Sequence, residues 1–286
     1  MNKYKIAILA DSGSDVPAEY LDKYDVFVVP LRVSYNDEEY LDVDLTQEQI
    51  HEMLASGPGQ VKTSLPAGED VLNVLNEIKA QGYEKVFVIT ISTGLSGTFN
   101  FLRIIASDFE GLTFEFLDTK NIGIGSGLSV IHAAKLVAQS LDFDDVVSNT
   151  LKVCLSTKVF FFLTTLEYLK KGGRLGLVDG LLGSILNIKP IISCNEDGVY
   201  YTVAKKIGAL HATEEIFALI KKHIGSSKNF NLAVAHNGLV EKATEIKQKL
   251  KKLFPNCGQL FSSVISPALS VHTGPGLLGV GVQVLN

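Results

Sequence analysis

The sequence predicts an α/β protein whose architecture changes after Asp142. The chain has 286 residues, of which 46% are hydrophobic and 20% are charged, so it can bury a substantial core in one large or two medium domains. Up to about Gln139, short apolar runs alternate with helix-like segments, which is typical of a parallel sheet. Beyond that point, an apolar strand and a strand pair joined by a tight turn predict a second, different layer.

Composition excludes several classes of protein. The net charge is −5, and the basic residues are spread along the chain apart from lysine clusters near the C-terminus, which argues against general nucleic-acid binding. The cysteines, Cys154, Cys194 and Cys257, are far apart and form neither a disulfide framework nor a CxxC metal pair, as expected in the cytoplasm. We expect no signal peptide, because a strand-like run follows the first residues at once, and no membrane span.

The first strand is predicted at Lys5–Ala10, a short apolar run. A polar turn of sequence Asp-Ser-Gly-Ser-Asp follows at residues 11–15. Asp11 and Ser12 are therefore expected at the carboxyl end of a strand, where open α/β sheets bind ligands. The alternative is that residues of this turn only cap the next helix.

The next elements are a strand at Val26–Val33 and a short hairpin arm at Tyr40–Asp42. Thr46 and Gln49 have the spacing of a capping box for a helix that reaches Leu54. No residue of this region is predicted to belong to a binding or catalytic site.

Two hydroxyl residues, Thr63 and Ser64, precede a helix predicted from Ala67 to Ala80. They lie in the extended segment Val61–Pro66, because a residue before proline avoids the helical region. The two hydroxyls are either helix caps or ligand donors.

A strand at Lys85–Ile91 leads into the hydroxyl- and glycine-rich turn 92–98, and a helix is predicted from about Thr98. Such a turn presents free backbone N–H groups at the positive end of a helix dipole, which suits an anion. The turn contains no lysine or arginine, so we expect a carboxylate or small oxyanion. A plain capped turn is the alternative.

The next strand is predicted at Leu112–Leu117. Gly123, Gly125 and Gly127 lack the position of a dinucleotide fingerprint, so we expect them to permit close helix packing.

After Asp142 the chain carries an apolar strand at Lys158–Thr164 and then a loop with Arg174 behind two glycines. This arginine meets a phosphate or a partner, or its guanidinium binds backbone carbonyls. An apolar helix at Val178–Leu186 forms core or lines a cavity. The segments Ile188–Cys194 and Val199–Ala204 predict a hairpin.

The last third predicts helices at Ala212–Ile224 and Glu241–Leu253, with strands between and after them. His272 lies in a segment rich in glycine and proline, which predicts a tight loop. This histidine either touches a ligand or is structural.

Four motifs occur in the order and at about the spacing of the DegV family, which the chain resembles over essentially its whole length: Thr63-Ser64-Leu65-Pro66, Leu95-Ser96-Gly97-Thr98, Gly172-Gly173-Arg174 and His272-Thr273-Gly274-Pro275-Gly276. The opening Asp11-Ser12 with Ser14-Asp15 is also similar to that family. The resemblance implies the EDD fold. Residues 1–150 would form an N-terminal parallel α/β domain with the carboxylate-binding turns. Residues 151–286 would form an α+β domain with a mainly antiparallel sheet, an acyl-pocket wall, a kinase-docking loop and a closing loop with His272.

The function that the resemblance implies is lipid binding without catalysis. The protein would hold one long-chain fatty acid, palmitate- or oleate-like, in a tunnel between the domains. It would present the carboxylate to a separate fatty-acid kinase, which forms an acyl phosphate for phospholipid synthesis, and Arg174 would contact that kinase. The resemblance implies no metal or cofactor and no nucleic acid, and it allows transient contact with a membrane surface to exchange lipid.

The resemblance also assigns the site residues. Thr63 and Ser96 match hydroxyls that hold the carboxyl group, with backbone N–H groups around Gly97 and the imidazole of His272 at the same end. Further candidates for this group are Ser64, Thr93 and Thr98. Candidates for the tunnel wall are Phe99, Phe162, Leu182 and Ile192.

The rival hypothesis is a serine hydrolase or esterase that uses Ser96 and His272, with Asp11 to orient the histidine. The sequence Gly94-Leu95-Ser96-Gly97 does not match the G-x-S-x-G nucleophile elbow, which counts against it. A nucleotide site is disfavoured because no Walker A or GxGxxG phosphate loop is present.

Overall fold

The computed structural model describes residues 2–178 and 187–285 of the chain. The first half contains, in order, β1 (Ile6–Asp11), α1 (Ala18–Tyr24), β2 (Val26–Val29), β3 (Arg32–Tyr35), β4 (Glu38–Leu41), α2 (Gln47–Leu54), β5 (Lys62–Ser64), α3 (Gly68–Ala80), β6 (Lys85–Thr90), α4 (Thr98–Ser107), β7 (Thr113–Asp118), α5 (Ile124–Ala138) and α6 (Phe143–Leu155). The second half contains β8 (Thr157–Phe162), α7 (Glu167–Lys171), β9 (Ile188–Cys194), β10 (Tyr200–Ile207), α8 (Gly208–Ile224), β11 (Phe230–His236), α9 (Val240–Leu253), β12 (Leu260–Val264), α10 (Pro267–Thr273) and β13 (Leu278–Val284).

The predicted parallel layer is present. Four strands pair in the order β2-β1-β6-β7, and every pair is parallel. Apolar side chains on one face of this sheet pack with α5 and α6, and those on the other face pack with α3 and α4. Helices on both faces explain why the strands are nearly continuous hydrophobic runs.

The predicted strand Val26–Val33 is wrong as a single element. Pro30 lacks an amide hydrogen, and pairing with β1 ends at Val29. The chain then enters a separate three-stranded sheet of order β4-β3-β5, in which both pairs are antiparallel. In that sheet Val33 stands opposite Thr63, so this small sheet carries one of the predicted site residues.

The second half forms a six-stranded sheet of order β10-β9-β8-β13-β11-β12. Only the pair of β11 and β12 is parallel within the described strands, and the predicted hairpin is present as β9 and β10. Alternate side chains face opposite cores: Val159 and Phe161 belong to one, and Phe160 and Phe162 belong to the other, which α8 and α9 cover.

The glycines around the start of α5 permit close packing, as predicted. A β-carbon on Gly125 would overlap the side-chain oxygen of Asn121, and one on Gly127 would overlap the carbonyl oxygen of Ser14. Helix α5 contacts β1 and β6 of one sheet and β8 and β13 of the other, and therefore lies between them.

The predicted closing loop around His272 is wrong, because this residue lies in α10. Pro267 occupies the first turn of the helix, and Gly274, with φ of 66°, ends it by donating its N–H to the carbonyl of Ser270. The predicted apolar helix at 178–186, with Leu182, falls mostly outside the described residues. Within the described ranges, no helix has both the length and the apolar character needed to cross a bilayer.

Candidate functional site

A cavity of about 320 Å³ brings together most of the predicted site residues. Its walls come from both halves of the chain: the β5 segment, the turn after β6, the loop after α7, β10 and α10. The lining residues are Leu31, Thr63, Ser64, Leu65, Ile91, Leu95, Ser96, Ile122, Arg174, Tyr200, Ala268, Leu269, His272 and Thr273. Among them, Thr63, Ser64, Ser96, His272 and Arg174 were predicted as site residues.

Thr63 and His272 form the polar pair of this cavity. The hydroxyl oxygen of Thr63 and Nε2 of His272 are 2.7 Å apart, although the two residues are 209 positions apart in sequence. The antiparallel pairing of β5 with β3 holds Thr63, and α10 holds His272. The pair therefore depends on the packing of α10 against the small three-stranded sheet.

His272 is uncharged at neutral pH. Burial, together with the nearby charge of Arg174, lowers the pKa of His272 to about 4. Its Nδ1 atom has no hydrogen-bond partner among the described residues, and a β-carbon on Gly172 would overlap that atom. The glycine is thus the residue that allows the loop to lie directly against the imidazole ring.

Ser96 lies in the turn that leads into α4. Its hydroxyl is 2.8 Å from the hydroxyl oxygen of Thr98 and accepts the Thr98 backbone N–H at 3.3 Å. The backbone N–H groups of Leu95 and Ser96 donate to the carbonyl of Ser92. The predicted turn and helix start are confirmed, and the Ser96 side chain faces the cavity as part of the helix start.

Arg174 lies closer to this turn than its sequence position suggests. Its Nε donates to the carbonyl of Leu95 at 3.3 Å, and one terminal nitrogen donates to the carbonyl of Gly172 at 2.7 Å. This is the structural role that the sequence left open beside a partner contact. A guanidinium carries five N–H donors, so the same group can also offer hydrogens to an anion.

A small apolar space of about 30 Å³, which we call the apolar extension, lies beside the cavity. Ile122, Tyr200, Leu269 and Thr273 line both spaces, so the two are adjacent. The other walls of the extension are Gly123, Ile124, Val159, Phe161, Ala235, Ile265, Leu277 and Gly279. The extension penetrates the core between α5, the six-stranded sheet and α10.

The structure does not bring all the predicted residues to the cavity. Thr93 donates its hydroxyl to Asp118 at 2.5 Å, and Lys120 bonds to both of them. Thr98 is fully buried and bonds to Ser96, and Gly97 is exposed at the helix start. None of these three lines the cavity, and their predicted contact with a carboxylate stays a prediction.

The candidate wall residues are also distributed differently. Phe162 belongs to the core under α8 and α9, on the far face of the six-stranded sheet. Phe99 packs edge to face against Phe116. Ile192 belongs to the core around the cavity but does not line it. The sequence missed Tyr200 and Leu269, which no motif marks, because facing a cavity follows only from the packing of distant elements.

The described geometry does not assemble the hydrolase relay. The Ser96 hydroxyl bonds to Thr98, and Nε2 of His272 bonds to Thr63. Asp11 accepts the Ile91 backbone N–H at 2.9 Å and the Ser14 hydroxyl at 3.3 Å, so it does not orient the histidine. That chemistry requires a nucleophile that is hydrogen-bonded to a base, and a base that is oriented by an acid.

Three buried aspartates, Asp11, Asp15 and Asp42, lie around one space beside the start of α10. Asp15 accepts the Ser266 backbone N–H at 2.8 Å, just before the helix. Burial raises the pKa of Asp11 to about 7 and that of Asp42 to about 6, and it raises the pKa of Asp15 well above its usual value. Asp11, Asp15 and Asp42 repel one another as anions, so protons or helix N–H groups must compensate them.

No group of three or more His, Cys, Asp or Glu side chains within residues 2–178 and 187–285 is placed to hold a metal ion. Asp15 is tied to the start of α10 by the Ser266 N–H, and α10 carries Leu269 and His272 to the cavity.

Comparison with known proteins identifies the family. A family model described as "Uncharacterised protein, DegV family" matches residues 5–284. A DegV domain-containing protein of Clostridium acetobutylicum is 37% identical over 277 residues, which cover 96% of this chain and 98% of that protein.

Two solved structures are similar in fold and above one quarter identical. One is from work on fatty acid binding of a DegV family protein of Thermus thermophilus, with a TM-score of 0.91, 26% identity and full coverage of both chains. The other is a stearic acid-binding protein of Eubacterium ventriosum, with a TM-score of 0.88, 27% identity and 98% coverage of both chains. The fold, the family model and the relatives agree, and the chain belongs to the DegV family.

Proposed function

We propose that this protein binds one long-chain fatty acid, with the carboxylate in the cavity beside Thr63, Ser96 and His272 and the tail in the apolar extension. The observation that carries the proposal is a cavity with the Thr63, Ser96 and His272 side chains in its wall, which shares four wall residues with an adjacent apolar space. The relatives of Thermus thermophilus and Eubacterium ventriosum, whose descriptions name fatty acid and stearic acid binding, support the same ligand class.

The head-group contacts follow from the polar pair. In the tautomer with hydrogen on Nε2, His272 donates to the Thr63 oxygen, and the Thr63 hydroxyl is then free to donate to the carboxylate. Ser96 supplies a second hydroxyl, and Arg174 holds the Leu95 carbonyl of the same turn. Hydrogen bonds to a charged acceptor are stronger than neutral ones, so this set compensates the lost hydration of a carboxylate.

The tail contributes most of the affinity. Burial of about 14 methylenes at roughly 0.8 kcal/mol each gives on the order of 11 kcal/mol before the cost of association. Palmitate- and oleate-like acids are the ligand class that this supports. The apolar extension opens only between packed core residues, so a long chain would be accommodated by movement of side chains such as Leu269.

The proposal also includes presentation of the bound fatty acid to a partner protein. The protein would itself carry out no catalysis and would present the carboxylate to a separate fatty-acid kinase, which Arg174 would contact. Carriage would take place in the cytoplasm, with lipid exchanged at a membrane surface, and the three cysteines are free thiols, as a reducing compartment requires. The cavity walls drawn from both halves support a division into domains at 1–150 and 151–286, with the ligand between them.

The test is extraction of the purified protein under denaturing conditions, with mass spectrometry of the organic phase. We expect one fatty acid per chain, and the delipidated chain should rebind palmitate or oleate. Thr63→Val should weaken rebinding by roughly fivefold or more, because a stranded charged partner costs about 1–3 kcal/mol. The control is Thr113→Val, an exposed threonine on β7. Recovery of no fatty acid together with no rebinding would refute the proposal.

A further inference from the structure

The charges of the C-terminal helices are strongly segregated. Neither the stretch 216–240 nor the stretch 246–286 contains any aspartate or glutamate, although the whole chain has a net charge of −5. The two stretches together hold seven lysines, which we call the lysine face: Lys221, Lys222, Lys228, Lys247, Lys249, Lys251 and Lys252. No ion pair between described residues engages any of them. Between the two stretches, α9 carries Glu241 and Glu245. Lys242 and, to a smaller extent, Lys249 lower the pKa of Glu245, so the positive charge of this surface is only partly compensated.

The ends of α8 and α9 frame an apolar cavity of about 360 Å³ inside this positive region, which we call the α8–α9 cavity. Its lining residues are Phe217, Ala218, Lys221, Ile224, Gly225, Phe230, Leu253, Phe254, Pro255 and Asn256. Leu253 is 56% exposed at its rim, and Phe230 and Phe254 contact each other edge to face with ring centroids 6.1 Å apart. An exposed apolar rim surrounded by charged side chains is typical of an interaction surface.

The lysine face is separate from the fatty-acid cavity. Helices α8 and α9 pack on the face of the six-stranded sheet that carries Phe160 and Phe162, and the fatty-acid cavity lies on the side of Phe161. A partner at the lysine face would thus leave Thr63 and His272 accessible. The two surfaces share no lining residue.

We propose that the lysine face and the α8–α9 cavity dock this protein on an anionic phospholipid bilayer. Lysines near such a surface are attracted by its negative potential, and an apolar tip such as Leu253 gains free energy when it enters the headgroup boundary. Charge complementarity and the apolar cavity together favour a lipid surface. Nucleic acid fits less well, because the lysine face contains no arginine, the residue suited to bidentate contacts with phosphates.

The experiment is cosedimentation of the full chain with vesicles of equal parts phosphatidylglycerol and phosphatidylcholine, and with vesicles of phosphatidylcholine alone. We expect binding to the anionic vesicles only, and loss of that binding at high salt, because salt screens exposed charges. The variant Lys249→Glu, Lys251→Glu, Lys252→Glu should bind at least about tenfold more weakly. Leu253→Ser should weaken binding while the salt dependence stays.

The matched control is Lys3→Glu, Lys23→Glu, Lys152→Glu, which changes the net charge equally at exposed lysines outside the lysine face. It should keep anionic-vesicle binding within about twofold of the native chain. Circular dichroism checks that both variants are folded. Equal losses in the two triple variants would show a net-charge effect and overturn the proposal. So would binding to neither vesicle, equal binding to both, or retention only on single-stranded or duplex DNA.

Discussion

Asp42 provides a direct test of how α10 is anchored. Its side chain is fully buried, close to the Ser12 hydroxyl and to the backbone N–H of Ala268 in α10. Burial raises its pKa from 3.8 to about 6, although the Ser12 hydroxyl and nearby backbone N–H groups lower it. The perturbation is Asp42→Asn, which keeps the size of the side chain and removes its charge.

The magnitude follows from linkage. At roughly 1.4 kcal/mol per pKa unit, a rise from 3.8 to about 6 corresponds to about 3 kcal/mol. The folded carboxyl binds its proton more tightly than the unfolded one, so the folded state loses stability as the pH rises from about 4 to about 7. Asp42→Asn should therefore match the native chain near pH 4 and exceed it by up to about 3 kcal/mol near pH 8. The substitution also removes a charge that helps to raise the pKa of Asp11. This second effect likewise stabilises the folded state at alkaline pH.

The assay is urea unfolding followed by circular dichroism across this pH range, with the free energy of unfolding extrapolated to water. Asp44→Asn, at an exposed position two residues away, is the control and should show no such pH-dependent gain. Two results would contradict this reasoning. One is an Asp42→Asn variant that is no more stable than the native chain at alkaline pH, and the other is a gain in the free energy of unfolding that is equally large near pH 4.

Three further variants test the fatty-acid cavity. Ser96→Ala should weaken binding of added palmitate by about 1–3 kcal/mol in calorimetry while the unfolding midpoint falls only slightly, and an unchanged affinity would remove Ser96 from the head-group site. Gly172→Ala should displace the His272 ring and destabilise the chain by about 1–3 kcal/mol in urea unfolding, whereas Gly68→Ala, which has open space around it, should not. Arg174→Ala should keep fatty-acid binding and lower acyl-phosphate formation by an added kinase; a chain that no longer holds lipid would contradict that division of roles.

The regular elements of the fold could be predicted because each has a long or well-marked pattern. The capping box of Thr46 and Gln49 is present, with both of its hydrogen bonds, and α2 ends at Leu54 as expected. The four parallel strands alternate with helices, as their apolar runs predicted. The short helices α7 and α10 were missed, because five or seven residues are too few to show a helical period. The split at Pro30 was missed because the apolar run continues across it.

The predicted site residues came from motifs, and their arrangement came from packing. Thr63 and His272 could each be named from sequence, but their 2.7 Å contact requires β5 to pair with β3 and α10 to pack beside it. The sequence suggested two roles for Arg174, a partner contact and a bond to backbone carbonyls. It could not identify Leu95 as the residue whose carbonyl accepts that bond. Whether each residue holds a carboxylate remains a prediction.

The glycine-rich turn has a second reason for its composition. A β-carbon on Gly94 would lie 2.9 Å from the carbonyl oxygen of Asp197, and one on Gly198 would overlap the hydroxyl of Ser92. The turn after β6 thus packs directly against the turn between β9 and β10, the strand that carries Tyr200. Gly94 is needed for this contact between the two sheets, rather than for the approach of a ligand. Ser96 follows Gly94 closely in the chain and Tyr200 follows Gly198, so this contact holds together the segments that carry the polar end of the cavity and part of its apolar wall.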